Sequence, residues 1–243
     1  IRLTTKIESK GYIDMTLKTL KTFGITVTET ENGWSIPGGQ KYHGPRMRYA
    51  EGDWSNAAFW LVAGAIGGSI GCQGLDMESP QGDRAIAALL EEFGAETKVA
   101  LNQITATHKE MKGIRIDASQ IPDLVPILCV AAAAAEGKTE IYNAGRLRMK
   151  ESDRLAVMAE CMQKIGVEVE ERPDSIIITG GCNPPEGEIV IDSHNDHRIV
   201  MAMAIAAVSL GVELTILGAE AVNKSYPSFF IELAKLGGVT NVL

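Results

Sequence analysis

Three segments of the chain are apolar on every face: AAFWLVAGAI from Ala57, LVPILCVAAAAA from Leu124 and IVMAMAIAAVSLG from Ile199. A helix with no polar stripe has no face to turn to water, so each segment predicts a buried helix. An aspartate precedes each one, Asp53, Asp123 and Asp196, at spacings of 70 and 73 residues. A second helix follows in each case: GDRAIAALLEEFGAE, SDRLAVMAECMQKIGVE and YPSFFIELAKLGGV. In the middle one Leu155, Met158, Ala159, Met162 and Ile165 recur at helical spacing on one face. Gly94, Gly166 and Gly237 then stand where a helix C-cap needs glycine. β-rich stretches follow: QITATH and GIRIDA in the first repeat, SIIITGG and EIVIDSH in the second. The pattern predicts an α/β chain built from units of helix, strand, helix, strand, strand, with the first helix of each unit buried.

Residues 1–50 do not follow this period. They predict one amphipathic helix in YIDMTLKTLKTFG and a hairpin in ITVTETENGWSIPGG with Asn32-Gly33 at the turn. Glycine, proline and basic residues follow in GGQKYHGPRMRYAEGD. A domain boundary is expected near Glu51, giving units 1–50 and 51–243. The first two repeats occupy 70 residues (53–122) and 73 residues (123–195) and the third 48 (196–243), so the third is expected to lack the strand pair that closes the others.

Composition narrows the chemistry. At 243 residues, 45% hydrophobic and 22% charged, the chain is expected to fold into one large or two modest domains. A net charge of −8 argues against a general nucleic-acid surface, so an anion site has to be a local basic pocket. Cys72, Cys129, Cys161 and Cys182 form no Cys-x-x-Cys pair and predict buried free thiols in a reducing, cytoplasmic setting. The longest apolar run, Leu124 to Ala135, is too short and alanine-rich to span a bilayer.

Such a pocket has candidates. Arg146, Arg148, Lys150 and Arg154 crowd the start of the SDRLAVM helix, where cations oppose the helix dipole. Ser152 is a candidate cap there, with Asp153 in the first turn. Arg198 in SHNDHR and Lys224 in VNKSYP stand near helix starts in the third repeat. Equivalent helix starts in a repeat converge on one face, and cations there suit a ligand carrying phosphate and carboxylate. Ion pairing with Glu151, Asp153 and Asp196 is the plainer reading. His194 and His197, three apart, also raise a metal site, but no fourth ligand is apparent and Arg198 would repel a cation. Asp123 and Glu151 are candidates for acid–base work. Asp123, after Pro122 and before an apolar helix, equally fits a simple N-cap.

RMKESDRLAVM, SHNDHRIVMAMAIAA and VNKSYPSFFIEL, with IESKGYIDMTLKTLKTFGI and EGDWSNAAFWLVAGAI, resemble the 3-phosphoshikimate 1-carboxyvinyltransferase (EPSP synthase) family over the whole chain. The resemblance implies the inside-out α/β barrel of enolpyruvyl transferases. It also implies transfer of the enolpyruvyl group of phosphoenolpyruvate to the 5-hydroxyl of shikimate 3-phosphate, in the route to aromatic amino acids. By motif, Asp123 and Glu151 match the catalytic carboxyl groups. Arg154, Arg198 and Lys224 match phosphoenolpyruvate ligands, and Ser9, Tyr12, Asp123 and Lys150 match groups around shikimate 3-phosphate, with His197 in support. No cofactor or metal is implied. Where the family can have asparagine four residues before the lysine, this chain has Arg146, whose contact is left open. Family members run to nearly twice this length, so the resemblance implies a C-terminal portion, inactive by itself, whose partner is the missing N-terminal half. The rival readings are the sister enzyme UDP-N-acetylglucosamine enolpyruvyl transferase and a non-catalytic anion-binding half-protein.

Overall fold

The structure, a computed structural model, describes residues 1–5, 7–47 and 49–241. Arg48 of the basic stretch before Glu51, and the last two residues of the third repeat, lie outside the described residues. The chain opens with α1 (Lys10–Thr22) and a hairpin of β1 (Thr28–Thr30) and β2 (Gly33–Ser35). Thr30 faces Gly33, so the hairpin turns at Glu31-Asn32, one residue earlier than the sequence suggested. Gly33 is needed inside the strand. At φ 140° it lets the Ile1 backbone pass, where a Cβ would lie 2.2 Å from the Ile1 carbonyl oxygen.

The first repeat runs α2 (Trp54–Gly67), β3 (Ser69–Gln73), α3 (Ile86–Phe93), β4 (Glu96–Ala100), β5 (Gln103–Thr107) and β6 (Arg115–Asp117). The second runs α4 (Val125–Ala134), β7 (Lys138–Tyr142), α5 (Arg154–Lys164), β8 (Glu168–Arg172), β9 (Ser175–Thr179) and β10 (Val190–Asp192). The third has α6 (His197–Leu210), β11 (Thr215–Leu217) and α7 (Phe229–Lys235). Three strands, not two, therefore follow the second helix in each complete repeat. The unforeseen ones are β4, ETKVA, and β8, EVEER, both outermost in their sheets and largely exposed. An edge strand wetted on both faces has no apolar alternation to announce it.

The sheets explain how the repeats join. The first is ordered β3-β5-β4 and the second β6-β7-β9-β8, with β10-β11 a two-stranded pair. β6 and β10 leave their own repeat and pair parallel with the first strand of the next. Inside, α2, α4 and α6 contact one another pairwise, and nine of the ten residues of α4 are buried. Trp60 of α2 stacks on Phe229 of α7 at 5.0 Å between ring centroids, which ties the third repeat to the first. Gly94, Gly166 and Gly237 all take positive φ at helix ends, as the sequence predicted. All four cysteines are free, Cys129 and Cys161 buried and the other two half-buried. Among the described residues no helix is long and apolar enough to cross a membrane.

Candidate functional site

The aspartates that precede the buried helices divide into two kinds. Asp53 and Asp196 are true N-caps: Asp53 accepts from the backbone of Ser55 and Asn56, and Asp196 from that of Arg198. Among the described residues Asp123 caps no helix. Pro122 places it inside a short 3-10 turn, Pro122–Leu124, and its carboxylate is turned toward side chains. At α5 the cap is Asp153, which accepts from the Ala156 backbone, and not Ser152. Ser152 Oγ instead donates to Asp196 Oδ2 at 3.1 Å.

Arg154 is the hub of the site. Its side chain is 1% exposed. Nε donates to Asp196 Oδ2 at 2.7 Å and Nη1 to Asp123 Oδ1 at 2.8 Å. Nη2 donates to Glu151 and to Asp196 Oδ1. A buried guanidinium is costly unless its donors are met, and here three carboxylates from the second and third repeats meet it. Burial opposes the charge on Arg154, and Asp196, Asp123 and Glu151 together more than offset this, holding it protonated.

Asp123 collects donors from every side. Tyr12 of α1 donates its hydroxyl at 2.8 Å, Lys150 Nζ lies at 3.2 Å and Arg198 Nη2 at 3.4 Å. Burial pushes its pKa up, but Arg198, Lys150, Tyr12 and Arg154 outweigh burial and hold the carboxyl well below the usual range. Tyr12 moves the other way. Burial, with the Asp123 charge behind it, pushes its phenol up.

Glu151 is the exposed carboxylate of the group, with a 42% exposed side chain. His197 Nδ1 lies 3.9 Å from it and 4.0 Å from Asp196, is buried, and has no hydrogen-bond partner among the described residues. Burial, reinforced by Arg198, pushes the imidazole pKa down and keeps the ring neutral. His194 and Asn195 both take left-handed backbone, which turns the Asn195 carbonyl oxygen out to accept from Lys224 Nζ. Ser9, also left-handed at φ 50°, accepts from Arg146 Nη1 at 2.7 Å. Among the described residues no group of three or more His, Cys, Asp or Glu side chains is placed to hold a metal ion.

Direct contacts thus bring together Tyr12, Asp123, Lys150, Glu151, Arg154 and Arg198, with His197 close by. Lys224 joins through the loop at Asn195, and Ser9 through Arg146 and the turn it shares with Tyr12. Of two further participants, Asp196 was expected only as an ion-pair partner of the basic cluster, and Asp83 had no predicted role. Asp196 is wholly buried and anchors Arg154. Asp83, 3% exposed, accepts from Ser55 Oγ and lines a cleft of about 940 Å³ with Tyr12, Asp123 and Arg198. Its sequence signal was the Asp-Arg pair at 83-84, repeated at 153-154.

The family model described as EPSP synthase (3-phosphoshikimate 1-carboxyvinyltransferase) matches residues 1–233. A 3-phosphoshikimate 1-carboxyvinyltransferase of Clostridium acetobutylicum is 47% identical over 98% of this chain, and the match covers 55% of the relative. One from Halobacterium salinarum is 41% identical, with 98% and 57% covered. The chain therefore spans about half the length of the curated relatives it matches. The solved EPSP synthase of Acinetobacter baumannii superposes with a TM-score of 0.75 at 32% identity, over 93% of this chain and 54% of that one. The enolpyruvyl transferase NikO from Streptomyces tendae shares the fold with a TM-score of 0.74 at 18% identity. The architecture is thus that of the inside-out α/β enolpyruvyl transferases, and the chain belongs to the EPSP synthase family.

Proposed function

We propose that the chain serves the transfer of the enolpyruvyl group from phosphoenolpyruvate to the 5-hydroxyl of shikimate 3-phosphate, with release of phosphate, in the pathway to aromatic amino acids. In this reading residues 51–243 form the C-terminal lobe. Residues 1–50 are the last part of an N-terminal lobe, and the partner that completes the site is the N-terminal half present in the relatives. Four free cysteines accord with a cytoplasmic protein.

The observation that carries the reading is Asp123, a carboxylate held between Tyr12, Lys150, Arg154 and Arg198. Asp123 takes the 5-hydroxyl proton as that oxygen bonds to C2 of phosphoenolpyruvate. Glu151, exposed and next to a neutral imidazole, delivers a proton to the methylene carbon. Elimination from the tetrahedral adduct then returns a methyl proton to the site, and phosphate leaves. At rest Asp123 is too weak a base for its task, because cations surround it. Both substrates are multiply anionic, so they draw Lys150 and Arg198 off Asp123 and raise its basicity as they bind. Lys224 and Arg198 hold phosphoenolpyruvate. Arg154, being buried, offers it only the edge now held by Glu151. Ser9, Tyr12 and Lys150 line the acceptor side.

Phosphate release from the two substrates tests this, measured for the chain alone and with the N-terminal half of a relative supplied. The expected result is turnover only with both halves, lowered about 10²- to 10⁴-fold by Asp123→Asn. Near-normal turnover in that variant would remove Asp123 as the base. Binding without turnover in either format would favour a second reading, a non-catalytic anion-binding lobe.

A further inference from the structure

The cations of the site are not held equally. Arg154 is buried among three carboxylates, and Lys150 and Arg198 both pair with Asp123. Lys224 is exposed, and among the described residues its ammonium has one bond, to the Asn195 carbonyl oxygen. An anion that takes the ammonium breaks that bond. The place of Lys224 then depends on how its backbone is held.

We propose that Asn56 and Trp60, on one face of α2, are positioning residues that set Lys224 for phosphoenolpyruvate by clamping the two residues after it. This rests on the function proposed above, in which Lys224 holds that substrate, and adds to it a pair of residues from the first repeat.

Lys224 ends a short 3-10 turn, Ala219–Lys224, in which Ala221 and Val222 are buried. The chain then folds back, since the amides of Ser225 and Tyr226 both donate to the Val222 carbonyl oxygen, at 3.2 and 2.7 Å. Here α2 takes hold of it. Asn56 Nδ2 donates to the Ser225 carbonyl oxygen at 3.4 Å, and Trp60 Nε1 donates to the Tyr226 hydroxyl at 3.1 Å. Asn56 and Trp60 stand four apart, so a single helix face meets consecutive residues of the loop. The Trp60 ring also meets Tyr226 edge-on, 6.2 Å between centroids at 88°, and stacks on Phe229. Packing alone would need only the rings. A hydrogen bond adds direction, and two of them fix the height of the loop along α2 as well as its distance. Asn56 is a poor choice for packing, because its Oδ1 is buried with no partner among the described residues, which costs free energy. A lysine stem is flexible, so its anchored backbone is what the fold can place in advance.

The test is titration of the chain with phosphoenolpyruvate and, separately, with shikimate 3-phosphate, followed by NMR and extended into the millimolar range. Tyr226→Phe removes the acceptor and keeps the ring. It should weaken phosphoenolpyruvate roughly three- to tenfold and leave shikimate 3-phosphate unchanged. Trp60→Phe should do the same, and the double variant should lose no more than the larger single loss, because both changes remove one bond. Asn56→Ala should weaken phosphoenolpyruvate in smaller measure. In a Lys224→Ala background none of these changes should weaken it further. A further loss there, equal losses for both ligands, or no loss at all would make the clamp a tie between the first and third repeats only and overturn the proposal. If Trp60→Phe does not fold, Tyr226→Phe must meet these conditions by itself, or the proposal fails. Wild type that does not bind phosphoenolpyruvate would refute the role proposed for Lys224, and this inference with it. Wild type that binds it with Tyr226→Phe unchanged refutes this inference alone.

Discussion

A single buried carboxyl group outside the proposed reaction carries a measurable signature. Asp83 is 3% exposed, and burial raises its pKa to about 6 despite the Ser55 hydrogen bond and the field of Arg198. Its folded pKa lies above the unfolded value near 4, so between about pH 4 and 6 the native state holds the extra proton. Stability from this group is therefore full below pH 4, falls as pH rises to 6, and stays reduced above. A shift of about two units corresponds to roughly 3 kcal/mol at most. Asp83→Asn keeps an acceptor for Ser55 and removes the titration. The variant should unfold at higher denaturant than wild type at pH 7.5, with the advantage shrinking to nothing at pH 4. An advantage independent of pH would mean that the carboxyl group is not the source. The residue scale also shows how far the sequence was legible. Asp123 and Asp196 both precede apolar helices, and the apolar pattern alone does not separate them. Pro122 sets the difference by turning the chain into a 3-10 turn, which aims Asp123 at Tyr12 and Arg154 and leaves Asp196 as the cap.

Among the elements, the buried helices were legible because burial on all faces leaves a composition that no surface helix shares. The edge strands β4 and β8 were not, because their partners rather than their own residues place them. The same contrast between local and distant causes predicts two cap mutants. Asp53 is exposed and serves only the first turn of α2, so Asp53→Ala should cost about 1 kcal/mol, the ordinary value of a cap. Asp196 caps α6 and also balances the buried Arg154, so Asp196→Ala should cost about 3–5 kcal/mol, because it leaves a charge without its main partner. Denaturant midpoints at neutral pH compare the two. Equal losses would mean that Arg154 finds compensation from Asp123 and Glu151 alone. The Asp53 cap has only its own helix to stabilise, whereas the Asp196 cap joins the second repeat to the third.

Stability across the whole molecule should be uneven, and α1 is where it should be least. None of its thirteen residues is buried, whereas α4 buries nine of ten. The first turn of α1 holds to the rest through a few polar contacts: the Lys10 amide to Gln120 Oε1, Tyr12 to Asp123 and Ser9 to Arg146. Gly11 adds one close approach, since a Cβ there would lie 2.7 Å from the Pro80 carbonyl oxygen. Such contacts contribute about 1 kcal/mol each, far less than the burial that locks α4. Local opening should therefore free α1 without disturbing the core. Hydrogen exchange read by mass spectrometry should show the amides of α1 exchanging orders of magnitude faster than those of α4. The contacts that hold α1 are also the groups proposed to meet the acceptor. A ligand that joins Ser9 and Tyr12 to Lys150 adds bonds across the seam, so shikimate 3-phosphate should slow exchange in α1 far more than in α4. Protection of α1 equal to that of α4 without ligand would mean that its docking does not depend on these few bonds. A ligand that slows exchange only in the core would place the acceptor away from the first turn of α1.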